Sequence, residues 1–552
     1  MRPTCRPIWP FGSSSERRGS PVPPPSYDLA VVGGGIVGAA AARDAALRGL
    51  RVLLLERGDW ASGTTGIAAG LVHSGFRFAR DRKFHLALQC LREWETLHRL
   101  APHLVQPLAV LIPVYRGGRL SLRRIRWGFR FYDWLSFGSG GPPRQILSAR
   151  EAVRRAPALS EEGLLGAGLF YDFRCLFPAR LVLEHVRSAQ EEGADCRNYH
   201  EVTSIRRVAE GFELEVEDRE SAGRSCVRAR AVVNAAGPWI DEVGRRLTPD
   251  WPGRVRLLRG THVWVDADLD VAVWHEGYPP CFGIPRAQHV LAGWDLAEIS
   301  APEEGVGPRA GDLVAWLGEA RRRIPGLVPD PSRLLLAETG AWAVPRKDGR
   351  PSGDLPCEYE AVEEGGISGF VTLAGGNLTL FRRLAENGVD AVCKRLGVNR
   401  PGTTDRTPLA GGGFRDQVIF RENLVECTEN LPRIPRPVVD HLVGLYGRKA
   451  CEVLELGLSD EELRERLGPD AKDHVAQVVY AVRAEQARHL DDVLLRRLST
   501  TIRPDRGLGV AEAVSRVMAR ELGWEEPRRR EELERFRAQI GAQMDAVREA
   551  VR

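Results

Sequence analysis

A strand, glycine turn, helix and strand near the start of the chain constrain its fold more than any other feature. Residues Tyr27 to Arg57 read YDLAVVGGGIVGAAAARDAALRGLRVLLLER. Apolar positions from Leu29 predict a buried strand. Gly33, Gly35 and Gly38 follow at G-x-G-x-x-G spacing, then an alanine-rich helix, then a second apolar strand, Arg51 to Leu55, ending on Glu56. Gly33 permits the tight turn, Gly35 lets the backbone approach a pyrophosphate, and Gly38 lets helix and strand pack closely. The helix N-terminus offers free N–H groups and a partial positive charge to phosphates. Glu56, eighteen residues beyond Gly38, stands at the strand tip, where it can accept hydrogen bonds from a ribose. The unit predicts dinucleotide binding on an α/β, Rossmann-type domain.

The length of 552 residues predicts two or three domains. The 78 basic and 74 acidic residues are interspersed and leave a net charge of +4, which gives no nucleic-acid footprint. Ten cysteines without a C-x-x-C pair argue against a zinc or iron–sulfur site, so no metal is expected; they suggest a reducing, cytoplasmic setting. No apolar run approaches the roughly 18–20 residues of a membrane span. Peripheral contact with the inner face of a membrane stays open, as does oligomeric state. Residues 1–26, rich in Pro, Ser and Arg, lack the apolar stretch of a secretory signal and predict a disordered tail.

Further along, a small-residue loop covers Ala61 to Ala79 and a helix is predicted from Lys83 to Leu100. A basic, aromatic segment, SLRRIRWGFRFYDWL, follows; its mix of arginines and rings suits an anionic membrane surface or a packed helix with solvated arginines. Gln145 to Ala156 reads as a helix, Arg180 to Glu192 as another, and Arg254 to Val265 as a strand pair. ARAVVNAAGPWIDEV, Ala229 to Val243, is a second strand–turn–helix unit, and GFVTLAGGNLTLFRRLAE, Gly369 to Glu386, a third. After a linker-like RPGTTDRTPLAGGG the periodicity is helical. The predicted division is a cofactor and substrate domain over 27–398 and an all-α domain over 399–552.

VVGGGIVGAA, LLLERGDWASG, TTGIAAGLVHSGFR, NAAGPW, RGTHVWV, GGNLTLFR and the helical tail, in that order, resemble the FAD-dependent, quinone-linked glycerol-3-phosphate dehydrogenases, within the wider D-amino-acid-oxidase-like group. The resemblance implies an FAD-binding Rossmann-type domain, an antiparallel sheet capping the flavin and a helical C-terminal domain. It implies oxidation of a secondary alcohol, sn-glycerol 3-phosphate to dihydroxyacetone phosphate, with hydride passed to FAD and electrons to quinone. Three glycine turns devoted to one cofactor also lean to FAD over NAD.

Oxidising an alcohol needs a base for the hydroxyl proton. The resemblance places His262, in GTHVWV, in the substrate site, where a neutral imidazole could accept that proton. It places His73 beside the flavin ring, positioning flavin or substrate, and gives Arg77 the substrate's phosphate, which suits a guanidinium fork. Thr64 and Thr65 should bond cofactor phosphate or ring atoms, and Gly237 should lie close to the flavin. Asn377, Leu378 and Thr379 should meet the flavin's pyrimidine edge. Ile36, Arg57, Gly70, Leu71, Val202 and Ala236 complete the expected cofactor contacts.

Departures from the family pattern cluster where substrate should sit. G-V-R-P-L becomes Gly340-Ala341-Trp342-Ala343-Val344, so tryptophan replaces a phosphate-gripping arginine. G-G-K-L-T-T-Y-R becomes Gly375-Gly376-Asn377-Leu378-Thr379-Leu380-Phe381-Arg382, G-T-T-D becomes Ala292-Gly293-Trp294-Asp295, and a tyrosine becomes Phe78. Losing two cationic contacts to a phosphate, at roughly 1.5–3 kcal/mol each, weakens binding by about two to four orders of magnitude. Arg286, Arg346 and Lys347 are the candidates to compensate. The alternative expectation is the same scaffold acting on a different hydroxylated or amino substrate.

Overall fold

The computed structural model describes residues 26–552 except 77, 79–82, 119, 136–142, 276–280, 288, 306, 329, 347–358, 365 and 430–433. Apart from Ser26, the expected N-terminal tail lies outside the described residues, as does Arg77.

The strands are β1 (Ser26–Val32), β2 (Val52–Leu55), β3 (Leu71–Val72), β4 (Val105–Tyr115), β5 (Gln145–Ser148), β6 (Leu164–Cys175), β7 (Asp195–Arg197), β8 (His200–Val208) and β9 (Gly211–Asp218). They continue with β10 (Arg224–Asn234), β11 (Val255–Val265), β12 (Ala272–His275), β13 (Cys281–Arg286), β14 (His289–Ile299), β15 (Leu334–Pro345), β16 (Tyr359–Glu363) and β17 (Phe370–Gly375).

The first sheet runs β16-β17-β10-β1-β2-β7, with β9 added antiparallel to β10 and β8 antiparallel to β9. From β17 to β7 all strands are parallel. Such strands are covered on both faces and read as continuous apolar runs; Leu29 to Val31 and Leu53 to Leu54 are fully buried. The alanine-rich helix Ile36–Leu47 packs between helices Pro178–Glu191 and Phe381–Leu396, its small side chains allowing close approach. Parallel direction puts the C-terminal ends of β1, β10 and β17 on one edge, and each runs there into a glycine-containing turn. Ligand sites of α/β sheets lie at that edge.

The second sheet runs β15-β11-β14-β13-β12-β4-β6-β3, with β5 on β6. It is antiparallel apart from the β12–β4 pair. Arg254 to Val265 is one long strand, β11, rather than a pair. Gly260 is hydrogen-bonded between β14 and β15, and a register shift between Gly260 and His262 absorbs the irregularity without a turn. Gln145 to Ala156 is not a single helix either. Ser148 ends β5 and caps the helix Ala149–Arg155 through a capping box with Glu151.

Helices Arg436–Tyr446, Ala450–Ser459, Val475–Arg483, Ala511–Leu522 and Glu526–Val551 contribute to one apolar core. The first two of these helices are separated at Gly447, whose φ of +57° and close approach to the Gly411 carbonyl exclude a side chain. This helical region is tied to the first sheet by buried charge. The Asp59 carboxylate accepts from Arg496 Nε at 2.6 Å and from Arg497 Nη2 at 2.7 Å, and Arg180 pairs with Glu485 at 2.5 Å.

Candidate active site

The glycine turns after β1 and β10 interlock. Gly33 N–H donates to the Leu55 carbonyl at 2.8 Å and Ala235 N–H to the Val32 carbonyl at 2.9 Å. Gly33 has φ +114°, and a Cβ there would stand 2.6 Å from the Ala235 carbonyl oxygen. A Cβ on Gly38 would stand 1.9 Å from the Gly33 oxygen, so Gly38 serves the packing of helix on turn and does not itself line the site. Gly237, at φ +56°, has open space where a side chain would project.

Between the two sheets lies a cavity of about 1210 Å³, larger than the ~300–1,000 Å³ of ordinary small-ligand pockets. It is lined by Gly33, Gly35, Ile36, Glu56, Arg57, Thr64, Thr65, Gly70, Leu71, His73, Val202, Ala236, Gly237, His262, Asn377 and Leu378. Of the expected site residues, Gly38 and Thr379 stand behind the lining, and Arg77 is outside the described residues. Thr379 is fully buried, and its hydroxyl accepts from the His73 backbone N–H at 3.0 Å.

One end is polar. Glu56 accepts from Gly34 N–H at 2.6 Å and Gly58 N–H at 2.8 Å. Burial pushes its carboxyl up, and the two amides pull it partly back. The Thr65 hydroxyl accepts from Ile36 N–H at the start of the first helix, at 3.3 Å. Thr64 instead donates to the Ala341 carbonyl at 2.6 Å. Arg57 lies 4.4 Å from the Trp239 ring centre. Arg246 bridges Glu201 at 2.7 Å and Glu242 at 2.6 Å, and also donates to the Val202 carbonyl. Trp239 and Arg246 line the cavity without having been singled out from the sequence. Trp239 belongs to the NAAGPW turn that marked this region; Arg246 sits two helical turns beyond it, with no motif to flag it.

The other end holds both histidines. His262 Nδ1 lies 3.0 Å from the Ile67 carbonyl. A carbonyl only accepts, so Nδ1 carries the proton and Nε2 is the basic nitrogen. Burial lowers the His262 pKa below its ordinary value; the Glu338 charge and the Ile67 carbonyl raise it, and Arg286 lowers it. Asn377 Oδ1 accepts from Thr379 N–H at 2.9 Å and Leu380 N–H at 3.0 Å. Its amide N–H therefore faces His73 Nε2, at 3.2 Å, and donates to it. The remaining lining here includes Phe76, Ile112, Phe170, Trp274, Phe282 and Trp342, with Asp172 among them. The Asp172 carboxylate accepts from Ser74 N–H at 2.6 Å, and burial pushes it up to about 6.

Neither of the two described compensating candidates, Arg286 and Arg346, lines the cavity. Arg286 is buried and donates to the Leu176 carbonyl at 2.8 Å and the Ala69 carbonyl at 2.5 Å, with burial lowering it to about 10. Arg346 does not line the cavity, and Lys347 lies outside the described residues.

The sequence matches the family described as FAD dependent oxidoreductase over residues 28–381, and the C-terminal domain of alpha-glycerophosphate oxidase over residues 402–529. A glycerol-3-phosphate dehydrogenase of Synechocystis sp. is 31% identical over 520 residues, covering 90% of this chain and 93% of that protein. Glycerol-3-phosphate dehydrogenase 2 of Mycobacterium tuberculosis is 30% identical over 90% of this chain and 85% of its own. The crystal structure of the Bacillus halodurans glycerol-3-phosphate dehydrogenase complexed with FAD superposes with a TM-score of 0.78 at 26% identity, covering 94% of this chain and 96% of that one.

Proposed function

Because the chain belongs to the FAD-dependent oxidoreductases, we propose that it oxidises a secondary alcohol at the His262 end of its cavity, glycerol 3-phosphate being the substrate named for its relatives. The observation that carries this reading is the His262 tautomer: Nδ1–H is held by Ile67, which leaves Nε2 basic on the cavity wall. The cavity residues fit the cofactor. The amides at the start of the first helix would hold the pyrophosphate, Glu56 the ribose, and Gly237, Asn377 and Leu378 the flavin. Bound FAD supplies the two-electron acceptor for the hydride. Nε2 of His262 takes the hydroxyl proton. His73, whose Nε2 is already engaged by Asn377, positions the reactants rather than accepting that proton. In this reading residues 27–398 hold cofactor and substrate, and 399–552 brace the cofactor loop.

Electrons then pass to a quinone at a membrane surface. The helix Leu122–Leu135 supports that step. It buries Ile125, Phe129 and Tyr132, while Trp127 and Trp134 are 69% and 70% exposed amid Arg123, Arg124, Arg126 and Arg130. Rings and arginines on one exposed face suit an anionic bilayer. None of the described helices is long and apolar enough to cross a membrane. Anaerobic bleaching of the oxidised-flavin band by glycerol 3-phosphate tests the reaction. Bleaching by dithionite but by no alcohol refutes it. Co-sedimentation with anionic vesicles, lost in Trp127→Ser/Trp134→Ser, tests the surface.

A further inference from the structure

Among the described residues lining the His262 end of the cavity, Asp172 carries the one carboxylate. It lies on β6 two residues beyond Phe170, so strand alternation turns both side chains to one face, and both line the cavity. β3 pairs with β6 through Leu71–Arg174 and Val72–Phe173, which brings the next residue, His73, level with Asp172. Ser74 N–H then donates to Asp172 Oδ1 at 2.6 Å. The Tyr132 hydroxyl donates to the Ser74 carbonyl, and Phe76 stands edge-on to Tyr132 with ring centres 5.8 Å apart. Strand pairing and these contacts fix the carboxylate beside His73.

Asp172 is only 4% exposed, and Ser74 is its one hydrogen-bond partner among the described residues. An ionised carboxylate has about four acceptor positions, and burying one with most of them unused is costly. The Arg144 charge draws its pKa partly back, but that guanidinium is hydrogen-bonded to Asp133 and lies over the Tyr132 ring, 4.6 Å from its centre. Raised to about 6, Asp172 is still mostly ionised at neutral pH and so accepts rather than donates. Directly across the ladder from it is Leu108, in an apolar cluster with Val110, Ile112 and Phe170. A leucine or valine at position 172 would extend that cluster. An acceptor held there on the cavity wall instead fits a ligand hydroxyl.

Resting on the reading that the chain oxidises a secondary alcohol, we infer that Asp172 is a specificity-determining residue: its second carboxylate oxygen accepts the hydroxyl on the carbon next to the carbinol, so the preferred substrate is a vicinal diol. His262 Nε2 takes the carbinol proton, and Asp172 holds the neighbouring hydroxyl without taking its proton. A phosphate on the opposite arm of a glycerol unit is repelled by the carboxylate. The two arms are therefore told apart and one orientation is selected. Glycerol 3-phosphate, the substrate named for the relatives, carries such a hydroxyl.

The test compares glycerol 3-phosphate with propane-1,2-diol 1-phosphate, the same molecule without the neighbouring hydroxyl. The readout is the second-order rate of anaerobic flavin bleaching on the holoenzyme. Glycerol 3-phosphate should be faster by about tenfold or more, as a hydrogen bond to a charged group implies. Asp172→Asn keeps an acceptor for Ser74 N–H and leaves a neutral contact, so it should shrink that ratio by about threefold or more. Asp172→Val should bring the two rates within about twofold of each other. Flavin absorbance and bleaching by dithionite show that each variant is loaded; if Asp172→Val holds no FAD, the ratio in Asp172→Asn decides. Equal rates in the wild type overturn the inference. So do variants that slow both substrates alike, which is what a merely structural role predicts. Bleaching by neither of the two overturns it as well, and bleaching by dithionite but by no alcohol overturns the underlying reading.

Discussion

Asp59 lies three residues after Glu56 in the loop that carries Arg57, Thr64 and Thr65, and it is the point at which the helical region grips the cofactor site. Its carboxylate is fully buried and accepts from Arg496 Nε at 2.6 Å, Arg497 Nη2 at 2.7 Å and Asn198 Nδ2 at 3.2 Å, as well as from Arg497 Nη1. Burial pushes the Asp59 carboxyl up, but the two guanidinium charges more than offset this and hold it below the usual range. Arg496 keeps partners in Asp491 at 2.8 Å and Asp492 at 2.5 Å. Arg497, also fully buried, otherwise donates, among the described residues, to the Glu485 and Asp492 carbonyls. Asp59→Asn keeps the shape and removes the charge, stranding Arg497 in the interior. Removing one partner of a buried pair costs about 3–5 kcal/mol. With an unfolding entropy of about 2.1 cal/mol/K per residue over this length, Tm falls by about 3–4 °C. The loosened loop also populates its FAD-competent form less, raising the Kd for FAD about tenfold or more. Calorimetry and FAD-release fluorescence on the same preparations measure both. Asp59→Leu combined with Arg497→Met should lose less than Asp59→Asn alone, because no charge is stranded. The reasoning is refuted if Asp59→Asn keeps the wild-type Tm and releases FAD no more readily.

His262→Asn should lower kcat by about 10²–10⁴-fold while FAD stays bound, as loss of a general base does. Because burial depresses the His262 pKa, the neutral base is fully present above the ordinary histidine value of 6.5 and is lost as pH falls through its lower folded value. The acid limb of kcat/KM should therefore lie below pH 6.5 and vanish in the variant. Arg506 pairs with Glu338 at 2.9 Å, and the Glu338 charge raises the His262 pKa. Arg506→Met should shift that acid limb to higher pH; a fixed limb would exclude the coupling. Glu56→Ala should weaken FAD binding at least tenfold without changing the rate of the FAD-saturated enzyme, as titration of apoprotein would show. It removes the proposed ribose acceptor and leaves the Gly34 and Gly58 amides without their partner.

The cofactor half of the site was legible from Gly33 through Glu56 because its parts are local. A buried strand, a glycine at positive φ and a helix N-terminus are set by neighbours within a few residues, so spacing alone reports them. The NAAGPW and GGNL turns were legible for the same reason. At the other end the resemblance named His73 and His262, both of which line the cavity, but not the wall around them. Trp342 signalled a changed pocket, but Trp274, Phe282 and Asp172 carry no motif, and ordinary strand residues become a wall only when β4, β6, β12 and β13 stand side by side. Arg254 to Val265 read as a strand pair because the partners β14 and β15, which pair with Gly260 from either side, are invisible in the sequence.

What the sequence determined by itself was therefore the dinucleotide cradle and its order along the chain, since each element there is stabilised by its own backbone and its nearest neighbours. The tertiary structure decided the chemistry of the two histidines and the bracing of the loop. The His262 proton is placed by Ile67, 195 residues away, and the His73 acceptor nitrogen by Asn377, 304 residues away. Asp59 is held from 438 residues away by Arg497. A tautomer or a buried charge depends on which partner lies within about 3 Å, and that distance exists only once the sheets and helices have packed.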